Sequence, residues 1–369
     1  MGIGRVLNAE LCGAPAGPAN LITDVPGVMV GHVTLVSGEG DHAVRTGVTA
    51  VVPPGDCFVD KLPAAACVSN GFGKSMGLVQ VRELGSLETP ILLTNTLSCG
   101  SCFEALVRHA LDGHPAIGVT TSTVNPVVLE CNDGPINDIR ALSVTPEHGL
   151  DAIRGASSTF EEGAIGAGTG MTCFGLKGGI GSASRTVDVD GRRFVVGVLC
   201  LTNFGSLECL RVAGASVGRE LARRAGNGVP AGAARDSGSI VTVLATDLPA
   251  DSRQLGRMAR RVTVGIARCG GYVGNGSGEI VVAFSTANRI SHWAAEDGTG
   301  TPAIDRVDRL SDNVMDDCFR AVAAASEDAI VSSLLHARTT TGRTGRPTPG
   351  LRDAALAAEI GLPVGAGED

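Results

Sequence analysis

Aromatic residues are scarce in this chain, which has one Trp and one Tyr among 369 residues. Proteins that stack nucleic-acid bases need several such rings, and the net charge of −8 opposes binding to a polyanion. Long hydrophobic runs are also missing, so no transmembrane helix is predicted. The first residues, MGIGRVLNAELCGAP, lack the apolar stretch of a secretory signal. We therefore expect a cytoplasmic protein with no nucleic-acid partner and no membrane partner.

Patterns typical of metal and phosphate sites are absent as well. Cys99 and Cys102 have the spacing of half a zinc site, but no second pair completes it. The histidines form no H-E-x-x-H motif, and the runs GAGTG and GNGSG match neither the dinucleotide nor the Walker pattern. We predict no metal and no cofactor, and interpret these glycines as close backbone packing around a site. The eleven cysteines, an odd number, fit reduced and mostly buried thiols.

The chain is rich instead in glycine and in short apolar runs. It has 52 Gly, 17 Pro and 43% hydrophobic residues, which is enough for a full core. Val- and Ile-rich runs bounded by turn residues predict strands at 48–52, 91–94, 116–120, 194–201, 240–245 and 279–285. Helical signals predict helices that begin at 145–147 and that span 252–267 and 314–336. We expect one layered α/β or α+β domain over 1–369, with a peripheral tail after Thr339.

One junction between a loop and a strand is unusual. Residues 222–238 hold almost no large apolar side chain, which predicts an exposed or mobile loop. The buried strand SIVTVLA follows at once, so the loop enters the core at the Gly238–Ser239 bond. A Gly-Ser pair at such a place is by itself no more than a turn that leads into a strand.

Several sequence motifs, which follow one another along the chain, indicate a different role for the Gly238–Ser239 bond. They run from ITDVPGV and RTGVT through PILLTNTLS, ECNDG and GAIGAGTGMTCFGLKGGIGSASR to NFG, SIVTVLATDLP and GNGSGEIVVAFSTAN. In these motifs the chain resembles the DmpA-type aminopeptidases, a family of L-aminopeptidase/D-esterases and β-peptidyl aminopeptidases. The resemblance implies a four-layer αββα sandwich, similar in its layers to the N-terminal-nucleophile hydrolases.

The resemblance also implies self-processing. Family members are made as one inactive chain that cuts itself before a Ser, which then becomes the nucleophile. The expected cut at Gly238–Ser239 leaves an α chain, 1–238, and a β chain, 239–369. A Ser hydroxyl needs a base to take its proton, and the freed α-amino group, which titrates at about 7.7–8.0 when unperturbed, suits that task. Whether this amine or Glu279 is the main base stays open at this stage.

Four more residues take expected roles from the family motifs. Ser277 and Glu279, two apart before a strand, share one face and are expected to point at Ser239 and handle its proton. Asn203, at the end of an apolar strand, is expected to donate to the oxyanion. Glu130 is expected to hold the ammonium group of the substrate as a charge-assisted acceptor. The polar residues around Asn132 and Asp133 are interpreted as turn-forming.

The sequence therefore predicts a self-processing serine aminopeptidase, a hydrolase that removes N-terminal residues from small peptides, amides or esters. Following the family, we expect a homotetramer of processed αβ units. Two alternatives remain on related architecture. One is an amide-oligomer endohydrolase of the nylon-oligomer type or an acyltransferase, although these use Thr as the nucleophile. The other is a family member that has no catalytic activity.

Overall fold

Two β-sheets lie face to face in the computed structural model, which describes residues 14–225, 238–292 and 304–364. The strands are β1 (Met29–Ser37), β2 (Val44–Val52), β3 (Asp60–Gly71), β4 (Ser86–Leu87), β5 (Ile91–Asn95), β6 (Val127–Cys131), β7 (Thr172–Cys173), β8 (Leu176–Lys177), β9 (Gly179–Val189), β10 (Arg192–Asn203), β11 (Ser239–Thr246), β12 (Gly278–Ser285), β13 (Ile290–Ser291), β14 (Thr340–Thr341) and β15 (Pro347–Thr348). The smaller sheet has the order β1-β2-β5-β6. The larger has the order β13-β3-β12-β11-β10-β9, with β4 beside β3.

Helices cover the outer face of each sheet. They are α1 (Leu78–Leu84), α2 (Cys99–Gly113), α3 (Pro146–Arg154), α4 (Val217–Ala225), α5 (Ser252–Ala259), α6 (Val262–Arg268), α7 (Met315–His336) and α8 (Leu351–Ala357). Leu106 of α2 packs with Leu92 and Val128 on the smaller sheet. Helices α5, α6 and α7 cover the outer face of the larger sheet. Between the sheets, side chains such as Leu129 and Val241 share one apolar core. The predicted four-layer αββα sandwich is therefore confirmed.

Most strand predictions agree with the structure, but the one at 116–120 is wrong. Three successive backbone N–H groups, those of Val119, Thr120 and Thr121, donate to the carbonyl of Ala116. Gly118 has φ +72°, a left-handed conformation that glycine adopts without strain. These local turn bonds replace those of a sheet.

Three other predictions need correction. The helix at 252–267 is two helices, α5 and α6, which meet at Arg260 and Arg261. The loop at 222–238 begins inside α4, and its residues 226–237 lie outside the described residues. The tail after Thr339 is not wholly peripheral, because Leu351 of α8 is buried in the core of the larger sheet. The carbonyl of Pro349 also accepts the N–H of Lys177.

No helix within the described ranges is long and apolar enough to cross a bilayer.

Candidate active site

Ser239 opens β11 at one end of the larger sheet. Its neighbour on β10 is Asn203, in an antiparallel register, and its neighbour on β12 is Gly278, in a parallel register. Residues directly opposite each other in adjacent strands point to the same face of a sheet. Ser239 and Asn203 therefore both face the space between the two sheets. Ser239 is 8% exposed, and its Oγ accepts the N–H of Gly278 at 3.2 Å.

Gly238 occupies a space that no other residue fits. A Cβ at this position would overlap the carbonyl oxygen of Asn203 and would lie 2.8 Å from the Cα of Phe204. Both obstacles are backbone, which cannot rotate away. The carbonyl oxygen of Gly238 accepts the same Gly278 N–H, at 3.3 Å, that reaches Ser239 Oγ. One donor thus serves both the hydroxyl and the carbonyl that precedes it.

The side-chain amide of Asn203 is held at both ends. Its Nδ2 donates to the carbonyl of Asn132 at 3.0 Å, and its Oδ1 accepts the N–H of Thr172 at 2.9 Å. A primary amide has two N–H groups, so one of them is left over after the bond to Asn132. The buried Asn203 can therefore direct a donor toward charge that develops near Ser239.

Ser277 and Glu279 bracket Gly278 and contact each other. The Ser277 hydroxyl donates to Oε1 of Glu279, and both side chains are buried. Register sets Gly278 beside Ser239 and Glu279 beside Ile240, so the described contacts connect this pair to Ser239 through Gly278. The turn before β12 is held by Asn70 of β3, whose Nδ2 donates to the carbonyls of Gly274 (3.0 Å) and Ser277.

Glu130 reaches the site from the smaller sheet. It lies on β6, and the Sγ of the next residue, Cys131, donates to the carbonyl of Ser239 at 3.5 Å. Glu130 is 3% exposed. Oε1 accepts the N–H of Lys74 at 2.6 Å, and Oε2 accepts the hydroxyl of Thr96. A carboxylate has about four lone-pair sites. The bonds from Lys74 and Thr96 use two of them, so Glu130 can also accept hydrogen bonds from a substrate ammonium group.

Two buried charged groups flank the segments that hold Asn203. Burial raises the pKa of Asp133 to about 6, although hydrogen bonds from Thr46 and Asn137 oppose the shift. Burial also lowers the pKa of Lys177 to about 7, against the attraction of Asp133. The glycine-rich run beside them packs backbone on backbone, because a Cβ at Gly170 would overlap the carbonyl of Arg45. The interpretation of the GAGTG glycines as close backbone packing is confirmed.

The structure thus gathers Ser239, Asn203, Gly238 and the Ser277–Glu279 pair at one end of the larger sheet. Strand β6, which carries Glu130, contacts Ser239 through the Cys131 thiol. Sequence reasoning missed Asn70, Thr96, Thr172 and Lys177. The contacts of Asn70, Thr96 and Thr172 join segments far apart in the chain. Those of the Lys177 ammonium are local but go to backbone carbonyls, and no motif or periodicity indicates either kind of pairing.

Comparison with known proteins agrees with this geometry. The model of peptidase family S58 matches residues 20–348. The chain belongs to peptidase family S58.

Relatives within the family are similar over nearly the whole chain. A β-peptidyl aminopeptidase, BapA, from Sphingosinicella microcystinivorans is 42% identical over 96% of this chain and 90% of that protein. The L-aminopeptidase D-Ala-esterase/amidase from Ochrobactrum anthropi has a TM-score of 0.85 and 32% identity, covering 96% of each chain. It is described as a prototype for the serine aminopeptidases and a new variant of the Ntn hydrolase fold. A crystal structure of a Pyrococcus horikoshii protein has a TM-score of 0.87 and 47% identity, over 96% of this chain and 98% of that one.

These findings confirm the predicted family and the predicted chemistry at the level of a hydrolase that acts on N-terminal residues.

Proposed function

We propose that this chain is a self-processing serine aminopeptidase. It breaks its own Gly238–Ser239 bond and then removes N-terminal residues from small peptides, amides or esters through an acyl-Ser239 intermediate. The observation that carries the proposal is the shared Gly278 N–H, which binds both Ser239 Oγ and the Gly238 carbonyl at the head of a buried strand. Nucleophile and target carbonyl are thereby adjacent before any cut.

Processing is an acyl shift from nitrogen to oxygen. Ser239 Oγ adds to the carbonyl carbon of Gly238, and its proton passes to the amide nitrogen of Ser239. The C–N bond breaks and leaves an ester between Gly238 and Ser239 Oγ. Water then hydrolyses the ester, giving the Gly238 carboxylate and a Ser239 with a free hydroxyl and a free amine.

The same groups then serve the substrate. Glu130 holds the substrate ammonium, and Ser239 Oγ attacks the adjacent carbonyl. The freed Ser239 amine takes the hydroxyl proton, because it is covalently attached to the nucleophile and titrates near neutral pH. It passes this proton to the leaving nitrogen or oxygen of the substrate as the scissile bond breaks, and water then hydrolyses the acyl-Ser239 ester, which frees the N-terminal residue and restores the hydroxyl. The spare N–H of Asn203 and the Gly278 N–H stabilise the oxyanion. The Ser277–Glu279 pair fixes β12 at Gly278 and supplies negative charge that favours the protonated amine.

The assembly and the compartment follow as parts of the proposal. We infer a homotetramer of processed αβ units in the cytoplasm. The family resemblance supports the assembly. Thiols such as Cys99 and Cys102, which are free and buried, support a compartment in which cysteines stay reduced. Light scattering of the processed protein measures the mass of the assembly.

Intact-mass spectrometry tests the central claim. Wild type gives chains of 238 and 369 − 238 = 131 residues, and the smaller one begins Ser-Ile-Val-Thr. Ser239→Ala stays at full length, and Ser158→Ala, at an exposed site, is cut like wild type. A wild type that remains uncut yet active would contradict the mechanism. A panel of alanyl and β-homoalanyl anilides, with N-acetylated controls, then measures substrate preference.

A further inference from the structure

Lys177 has an uncommon environment for a lysine. Its side chain is completely buried. Its ammonium donates to the carbonyl oxygens of Gly168 at 2.9 Å, Met171 at 2.7 Å and Gly178 at 2.7 Å. An ammonium has three N–H groups, so these three bonds use all of them. Full burial of a lysine is costly, and the function proposed above gives this one no role.

The three carbonyls belong to one segment, 168–178, which folds around the ammonium. Within it, β7 and β8 pair so that Thr172 lies opposite Lys177. The N–H of Thr172 leaves this ribbon and donates to Oδ1 of Asn203 at 2.9 Å. The Thr172 hydroxyl also donates to this oxygen, at 3.4 Å. Lys177 therefore organises the segment that supplies the contacts on the oxygen of the Asn203 amide.

The orientation of that amide decides whether it can donate. Asn203 Nδ2 points to the carbonyl of Asn132 at 3.0 Å, and Oδ1 points to the Thr172 N–H. A flipped amide would set oxygen against oxygen and N–H against N–H. Loss of the Thr172 contacts would leave only the bond to the Asn132 carbonyl to prevent this flip.

Asp133 connects the two sides of the amide. It follows Asn132, and its Oδ1 accepts Nδ2 of Asn137 at 3.1 Å. Gly170 packs directly on it, since a Cβ at Gly170 would lie 2.8 Å from the Cβ of Asp133. The opposite charges of Asp133 and Lys177 attract each other. The segment that holds Oδ1 is thereby attached to the segment that holds Nδ2.

We propose that Lys177 is a positioning residue for Asn203. Its ammonium folds segment 168–178 so that the Thr172 N–H locks the Asn203 amide with one N–H aimed at the oxyanion. The inference rests on the proposed role of Asn203. Lys177 acts through Asn203, so its removal can cost no more than the removal of Asn203 itself, which for one oxyanion donor is about 10²–10³ in kcat.

Lys177→Met tests the inference, because methionine fills similar space without a donor. We expect kcat, per mole of cleaved chain, to fall about 10- to 100-fold with KM within about threefold. Adding Lys177→Met to Asn203→Ala should cause no further loss, as two residues that act as one unit are non-additive. The control is Lys61→Met, the same change at the end of β3 that lies away from Ser239. It should leave kcat within about twofold.

Each outcome decides one question. Independent, additive losses, or a loss confined to KM, would overturn the role of Lys177. A normal kcat for Asn203→Ala would overturn the proposed oxyanion role instead. If Lys177→Met does not fold, Thr172→Pro removes the N–H donor together with the hydroxyl, and Thr172→Val removes the hydroxyl alone. The inference then requires that the proline variant loses kcat and that the valine variant keeps it.

Discussion

The two ends of the larger sheet, which correspond to the two ends of β3, have nearby polar groups that are held in different ways. At the Gly71 end, beside Ser239, the polar side chains are held largely by backbone atoms, as with Lys177 on three carbonyls and Asn203 between a carbonyl and an N–H. At the Asp60 end, side chains hold one another to a greater extent, although the Phe58 carbonyl also accepts from Lys61 and the Asn125 N–H donates to Glu88. Lys61 Nζ lies 2.6 Å from Glu88 Oε2 and 4.8 Å above the ring of Phe58, which itself packs 4.4 Å from the ring of His292.

The two ends differ in how precisely the direction of a polar side chain is fixed. A backbone atom in a packed segment has little freedom, so a side chain bound to it has a set direction, which catalysis requires. Paired side chains can move together and still keep their attraction. We infer that the Ser239 end is built for positioning and the Lys61 end for stability. The same kind of substitution should therefore have different consequences at the two ends.

Gly238→Ala should have the largest effect. The added Cβ overlaps the Asn203 carbonyl, so Ser239 cannot keep its place at the head of β11. We expect no 131-residue fragment over the time in which wild type is fully cut, as followed by intact mass. The control is Gly113→Ala at the C-terminal end of α2, where an added Cβ would meet open space. This variant should process normally. Normal processing of Gly238→Ala would show that Ser239 can be displaced at the head of β11 without loss of self-cleavage.

Glu130→Gln should have an intermediate effect. It keeps an acceptor for the Lys74 N–H but loses the charge that attracts an ammonium group. Charge-assisted bonds contribute about 1.5–3 kcal/mol, which predicts a fall of about 10- to 100-fold in kcat/KM for anilides with a free amine. The preference for free over acetylated amines should shrink with it.

The matched control for this change is Glu88→Gln at the Lys61 end. It also neutralises a buried carboxylate, yet kcat/KM should stay within about twofold. If Glu130→Gln and Glu88→Gln lower kcat/KM equally, the Ser239 end is not more sensitive to the loss of a carboxylate charge than the Lys61 end.

Lys61→Met should have the smallest effect on activity and a clear effect on stability. It leaves Glu88 without its cation while the N–H of Asn125, at 2.6 Å from Oε1, remains. Since the pair is partly exposed, we expect the free energy of unfolding in urea to fall by about 1–3 kcal/mol. Unchanged stability would show that the ion pair contributes little.

Much of the fold could be predicted from local patterns. Val- and Ile-rich runs located β10, β11 and β12, because buried strands are almost continuously apolar. The run at 116–120 has the same composition but forms a turn, because Gly118 favours local bonds and nothing in the sequence shows that no sheet partner is near. The break between α5 and α6 was missed because the apolar spacing continues across it.

The sequence by itself determined the family and the residues around Ser239, because those residues lie in short contiguous motifs. Only the tertiary structure decided how β6, which carries Glu130 and Cys131, meets Ser239 and how Thr172 and Lys177 hold Asn203. The first depends on stacking one sheet on another, and the second on a glycine-rich segment that folds around a buried ammonium. The Cys131–Ser239 and Thr172–Asn203 contacts join positions 108 and 31 residues apart. The Lys177 contacts are only 1 to 9 residues apart, but all of these bonds use backbone atoms, which every residue carries.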